Sequence, residues 1–180
     1  MNILDVAENS VHAGASMIEI EVDIQTGLDT LTVIIRDNGC GMSADQTEKV
    51  VDPFYTTRTT RKVGLGIPFF KQAAESTGGS FQILSEEGCG TTVTAVFKLS
   101  HIDRMPLGDI SSTIHTLAVF NEHIRFRYTY RYNKNEFVFD TQQIREIVGT
   151  DISFTELEIS GFIKDYLKSG REETDGGADI

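Results

Sequence analysis

The sequence predicts an α/β (α+β) two-layer sandwich, with helices on one face of a mixed sheet. Three observations carry that prediction. Helical and strand periodicities follow one another over the first hundred residues in the order α β β α α β β. Residues 17–24 alternate Ile18, Ile20, Val22 and Ile24 against Glu19, Glu21 and Asp23, the period of a half-buried strand. Residues 31–36 are apolar on both faces, which places that strand inside the sheet.

The elements follow in order. Residues 3–13 carry Ile3, Leu4, Val6, Ala7 and Val11 at helical spacing and stop at Gly14. The strand at 17–24 turns through Gly27-Leu28-Asp29 into the strand at 31–36. Residues 43–51 read as a short helix capped by Ser43. Residues 53–62 are polar and lack periodicity, so they read as a loop. A helix at 67–76 stops at Gly78-Gly79, and strands at 81–85 and 91–99 form a hairpin. Beyond Ser100 come a helix at 110–120 capped by Asp109 and an alternating strand at 124–132. In that strand Arg125, Arg127 and Arg131 oppose Phe126, Tyr128, Tyr130 and Tyr132. A turn at Asn133-Lys134-Asn135 leads to a strand at 137–139, then to helices at 142–148 and 156–168. Residues 169–180, rich in Gly, Glu and Asp, read as a disordered tail. The chain is thus divided into a domain at 1–100, an α/β extension at 101–168 and the tail.

Composition narrows the function. The 180 residues carry 16 Lys and Arg against 27 Asp and Glu, a net charge of −11. Such a chain is repelled by nucleic-acid phosphates and anionic lipid, so neither is an expected partner. No segment approaches the ~20 apolar residues of a membrane span, and no leader peptide is evident, so a cytoplasmic location is expected. The arginine and aromatic strand reads as amphipathic, its rings in the core and its arginines paired with acidic neighbours. The two cysteines, Cys40 and Cys89, each stand between glycines and read as small residues tolerated in tight loops.

Four ordered stretches carry chemistry. Asp5 and Asn9 share one face of the first helix. Asn9 offers Mg²⁺ a hard amide oxygen, and Asp5 could hold a water as general base. Asp37-Asn38-Gly39-Cys40-Gly41 follows a buried strand. There a carboxylate can accept a hydrogen bond from the adenine amino group, and Gly39 and Gly41 would let backbone approach the base. Gly64-Leu65-Gly66 directly precedes a helix, whose free N–H groups favour phosphate. Gly88-Cys89-Gly90-Thr91-Thr92 links two strands, and Thr92 could reach the adenine edge. Taken singly, each stretch also reads as surface helix, ordinary turn or solvated loop.

Together they resemble the ATPase superfamily of gyrase, the heat-shock chaperone, histidine kinases and MutL (GHKL). Leu4 to Ser10 is similar to its N box, and Asp37 to Met42 to its G1 box. Asp52 to Arg58, with Phe54, Thr57 and Arg58, is similar to its F box, and Gly64-Leu65-Gly66-Ile67 to its G2 box. The resemblance covers residues 1 to about 99. It implies a Bergerat-type pocket for ATP and Mg²⁺, with Asn9 on the metal and Asp37 on adenine. The lid between Gly41 and Gly64 is short, and with 53–58 it resembles the kinase branch. Glu8-Asn9-Ser10 and Ala13-Gly14-Ala15 look more like the MutL branch, though the base position holds Asp5 where that branch has Glu. The kinases' dimerising phosphoacceptor helix pair is not expected here.

The expected function is a small kinase-like ATPase in signalling, with Asp5 as base and Arg58 or Lys62 neutralising the γ-phosphate. It would act on or through a protein partner, with a homodimer admitted. The alternative is an ATP-gated protein-binding module. A minor alternative takes His101-Ile102-Asp103-Arg104-Met105-Pro106-Leu107, which resembles the kinase phosphoacceptor box, as an autokinase site at His101.

Overall fold

The structure is a computed structural model that describes residues 1–52 and 65–180. In chain order the elements are α1 (Ile3–His12), β1 (Met17–Gln25), β2 (Thr30–Asp37), α2 (Ala44–Lys49), α3 (Gly66–Ser76), β3 (Ser80–Glu86) and β4 (Gly90–Lys98). These are followed by α4 (Ile110–Phe120), β5 (Arg125–Tyr132), β6 (Asn135–Asp140), α5 (Thr141–Val148) and α6 (Leu157–Asp175).

One six-stranded sheet runs in the order β3-β4-β2-β1-β5-β6. Four neighbouring pairs are antiparallel, and β1 pairs with β5 in parallel from Met17↔Arg125 to Ile24↔Tyr132. The extension at 101–168 therefore continues the sheet of the first hundred residues instead of forming a separate layer.

Period-two patterning decides which face is covered. Ile18, Ile20, Val22 and Ile24 of β1 are at most 1% exposed, as are Leu31, Val33 and Ile35 of β2. Each such side chain contributes about 1.5–3 kcal/mol on burial. They meet Ile3, Val6 and Ala7 of α1, Ile67, Phe70 and Ala74 of α3, Ile114 and Leu117 of α4, and Ile163 and Leu167 of α6, in one core. The other face is polar. There Glu19 sits between Arg36 (3.3 Å) and Arg127 (3.6 Å), and Arg131 bridges Glu21 (2.8 Å) and Glu136 (2.6 Å). The expected amphipathy of 124–132 is thus realised, with arginines on the open face.

Local chemistry sets the helix starts. Ser43 caps α2 in a capping box with Gln46. Asp109 caps α4 by accepting from Ser112 N–H, and Asp140 caps α5 by accepting from Gln142 N–H.

The tail expectation is corrected. The last helix does not stop at 168 but runs to Asp175. Asp175 is buried, accepting from the Tyr130 hydroxyl at 2.8 Å and from Arg171 Nε at 3.1 Å. Gly170 lies so close to the Phe137 ring that a Cβ there would overlap it. Ile180 is 8% exposed, and its carbonyl accepts from Leu107 N–H at 2.9 Å. An average over an acidic, glycine-rich stretch hides one paired aspartate and one glycine that permits close packing.

Candidate functional site

The site is built where the ends of β2 and β4 meet the last turn of α1, whose first turn packs on the start of α3. Asp37 is the last residue of β2 and is 9% exposed. Three donors converge on its carboxylate. Ser10 Oγ of α1 donates to Oδ2 at 2.6 Å, while Gly39 N–H (2.9 Å) and Thr91 N–H (3.2 Å) donate to Oδ1. A carboxylate has about four lone-pair positions. Three are spent on holding the group still, which leaves roughly one for a ligand N–H.

The loop after Asp37 is fixed from both sides. Asn38 Oδ1 accepts from the N–H groups of Ser16 and Met17, both at 2.9 Å, and its amide donates to Ser16 Oγ. Cys40 N–H donates to the Ala13 carbonyl at 2.9 Å, and Gly88 N–H donates to the Cys40 carbonyl at 2.8 Å. Met42 N–H donates to Ser85 Oγ at 2.9 Å, and Ser85 Oγ in turn pairs with Thr91 Oγ1 at 2.8 Å.

The glycines serve this packing. A Cβ on Gly39 would stand 2.8 Å from the Ala13 Cβ and 3.0 Å from Asp37 Oδ1. A Cβ on Gly41, at φ +65°, would overlap the Glu86 carbonyl, and one on Gly90, at φ +103°, the Asp37 carbonyl. The sequence reading gave Gly39 and Gly41 the task of letting backbone approach the base. Protein atoms crowd all three glycines, and Gly41 and Gly90 pack the Asp37 loop against the 86–91 turn.

Asn9 and Asp5 lie on one face of α1. Asn9 Nδ2 donates to the Asp5 carbonyl at 3.0 Å, so its Oδ1 is left as an acceptor with no hydrogen bond among the described residues. That is a donor set suited to Mg²⁺, which prefers oxygen ligands and retains several waters. Asp5 is exposed. Gly66 starts α3 against it: a Cβ on Gly66 would stand 3.0 Å from the Asp5 Cβ. Leu65 precedes α3 without a side-chain cap, and the first turn carries no acidic residue. Its amide donors are therefore unspent by side chains among the described residues, as an anion site requires.

Phe54, Thr57, Arg58, Lys62 and Gly64 lie outside the described residues. Thr92 is corrected. It stands opposite Arg36 on the polar face, while Thr91 stands opposite Asp37 on the helix-covered side with Val93, Ala95 and Phe97. Thr91 meets the Asp37 carboxylate through its N–H, and Thr92 borders the same cleft from the open face. His101 lies away from this site. It follows the far end of β4 in a turn, its N–H bonded to the Lys98 carbonyl. Seven residue steps of strand lead from Thr91 to Lys98, about 23 Å at ~3.3 Å each. His101 thus stands at the opposite end of the sheet from Asp37. Ser10, Asn38, Ser85 and Thr91 were assigned no role from sequence. The alternation Val93, Ala95, Phe97 was the signal for Thr91, and the position of Ser10 beside Asn9 was the signal for that hydroxyl.

A sequence profile described as histidine kinase-, DNA gyrase B-, and HSP90-like ATPase matches residues 2–101. The chain belongs to this family. Membership in this ATPase family implies an ATP site. A putative sensor protein of Shewanella frigidimarina is 30% identical over 104 residues, 57% of this chain and 16% of that protein. The autoinducer 2 sensor kinase/phosphatase LuxQ of Vibrio parahaemolyticus is 25% identical over 174 residues, 92% of this chain and 20% of that protein. Sensor histidine kinase ZraS of Salmonella typhimurium is 30% identical over 93 residues, 51% of this chain and 20% of that protein. The chain thus spans a fifth or less of the length of these relatives. The crystal structure of the N-terminal domain of a DNA repair protein superposes with a TM-score of 0.53 at 17% identity, covering 76% of this chain and 50% of that one. That likeness establishes a shared α/β sandwich with a mixed sheet. No helix among the described residues is long and apolar enough to cross a membrane.

Proposed function

We propose that this family member binds Mg-ATP at the Asp37 end of the sheet and works as a small kinase-like ATPase acting on or through a protein partner. The observation that carries the reading is the Asp37 carboxylate, held by three donors with about one acceptor position unspent. An acceptor in that position suits the exocyclic amino group of adenine and finds no donor on the corresponding edge of guanine. Asn9 would hold Mg²⁺, which neutralises phosphate charge when bound. The uncapped start of α3 would receive phosphate, and Arg58 or Lys62 would complete the charge neutralisation. The sensor kinase relatives support a role in signalling.

Calorimetry tests this. Mg-ATP is expected to bind and Mg-GTP is not. Asp37→Asn is expected to lower ATP affinity, and Asn9→Ala to remove the dependence on Mg²⁺. Equal affinity for both nucleotides, unaltered by Asp37→Asn, sinks the reading.

One observation favours a second reading, the ATP-gated binding module. Asp5 is exposed, and no group among the described residues hydrogen-bonds its carboxylate. A general base is ordinarily oriented by a neighbour. Single turnover by Asp5→Asn at the wild-type rate, with a candidate partner present, favours the module. A loss of turnover favours the enzyme.

A further inference from the structure

The chain has two cysteines, and the fold sets them on two loops that touch. Both thiols are free and exposed. Cys40 lies in the loop that leaves Asp37, and Cys89 lies in the turn between β3 and β4. The loops meet at the cysteines themselves, through Gly88 N–H donating to the Cys40 carbonyl at 2.8 Å. A single bond of that length limits the Cα atoms of residues 40 and 88 to roughly 6.7 Å. Cys89 is one residue further, about 3.8 Å. The two cysteine Cα atoms are therefore at most roughly 10.5 Å apart, and a disulfide spans roughly 4.4–6.8 Å. A shift of a few ångströms closes the gap. It falls on the Gly88-Cys89 tip, where Gly88, at φ +79°, has open space around it, while Gly90 stays packed on the Asp37 carbonyl.

We propose that Cys40 and Cys89 form a reversible disulfide that staples the Asp37 loop to the 88–91 turn. The oxidant is a hydroperoxide. One thiolate attacks the peroxide oxygen and becomes a sulfenic acid as the peroxide is reduced, releasing water or an alcohol. The second thiolate attacks that sulfur, the S–S bond forms, and hydroxide leaves and takes a proton to give water. Two electrons pass from the thiols to the peroxide. A small dithiol reverses the step by exchange, since both sulfurs face solvent.

The staple bears directly on Asp37. Gly39 N–H and Thr91 N–H, both on Oδ1, belong to the two segments being drawn together. Cys89 lines one cleft with Arg36, Asp37, Gly90, Thr91 and Thr92. Resting on the reading of Asp37 as the adenine acceptor, closing the staple is expected to weaken ATP about tenfold, the effect of disturbing one hydrogen bond to a charged group.

The intact chain, treated with hydrogen peroxide at low protein concentration, tests the proposal. Expected are loss of both titratable thiols, a mass lower by about 2 Da, and one peptide joining residues 40 and 89. All three should reverse with dithiothreitol and be absent in Cys40→Ser and in Cys89→Ser. Persistent thiols, sulfinic acid or only intermolecular dimers overturn it. Mg-ATP affinity is then compared in both forms. If the reduced chain binds no ATP, the ATPase reading fails while the staple is still judged by mass. If the reduced and stapled chains bind ATP equally, the link between staple and site is overturned.

Discussion

The hydroxyl of Ser10 offers a direct test of how the site is held. It donates at 2.6 Å to Asp37 Oδ2, and the two residues are 4% and 9% exposed. Ser10→Ala removes one of three donors and leaves the two backbone N–H groups on Oδ1. A hydrogen bond to a charged group contributes about 1.5–3 kcal/mol. Because the carboxylate borders the candidate nucleotide site, water can replace part of the loss, so the lower half of that range applies. For a chain of this size, 1.5–2 kcal/mol corresponds to a fall in Tm of roughly 3–8 °C. The freed carboxylate can also rotate about its remaining bonds, so Mg-ATP affinity is expected to fall about tenfold. Urea unfolding and calorimetry measure the two effects. The double variant with Asp37→Asn sharpens the test. If both changes act through one bond, their costs in stability will not add. A Ser10→Ala chain within about 0.5 kcal/mol of wild type, with unaltered ATP affinity, refutes the assignment of that hydroxyl.

Three more outcomes are expected. Thr91→Val should lower ATP affinity several-fold in calorimetry by breaking the Ser85 contact beside Asp37, while Thr92→Val on the polar face should leave it unchanged; the reverse order would overturn the side assigned to each threonine. A chain ending at residue 168 should lose at least about 2 kcal/mol in urea unfolding, since Tyr130 loses its buried Asp175 partner; equal stability would restore the disordered-tail expectation. Acid should destabilise the fold. Burial raises the Asp140 carboxyl, but hydrogen bonds from Arg125 and Gln142 N–H outweigh it and hold the group below its ordinary range, and Ser112 does the same for Asp109. A depressed folded value gives stability that is present above the unfolded value near ~4 and is lost as pH falls through the folded one. Thermal melts should therefore decline below about pH 4, less steeply in Arg125→Ala, and a wild-type profile flat to pH 3 would refute this.

Most of the fold was legible because period-two alternation survives intact in 17–24, 91–99 and 124–132, and because Asp109 and Ser43 announce their helices. The Asp37 and Asn9 placement was legible because chemistry and order coincide there. The rest depended on partners far away in sequence. Only the register with β2 tells that Thr91, not Thr92, shares a face with Asp37. The reach of α6 past 168 rests on Tyr130 and Phe137, more than thirty residues earlier, which no local composition reveals. Glycines 39, 41 and 90 look alike whether they admit a ligand or another loop, and the atoms beside them decide.

The parallel pairing of Met17–Gln25 with Arg125–Tyr132 has a consequence for biosynthesis. On the ribosome, the first strand is complete more than a hundred residues before its neighbour exists. At ordinary elongation rates that interval is on the order of 5–20 s. Throughout it the nascent chain presents an open strand edge rich in isoleucine, the kind of template on which chains aggregate. Cutting the protein after residue 100 would make that interval permanent. Soluble expression should then require carrying translation through the second half, whatever that half does afterwards.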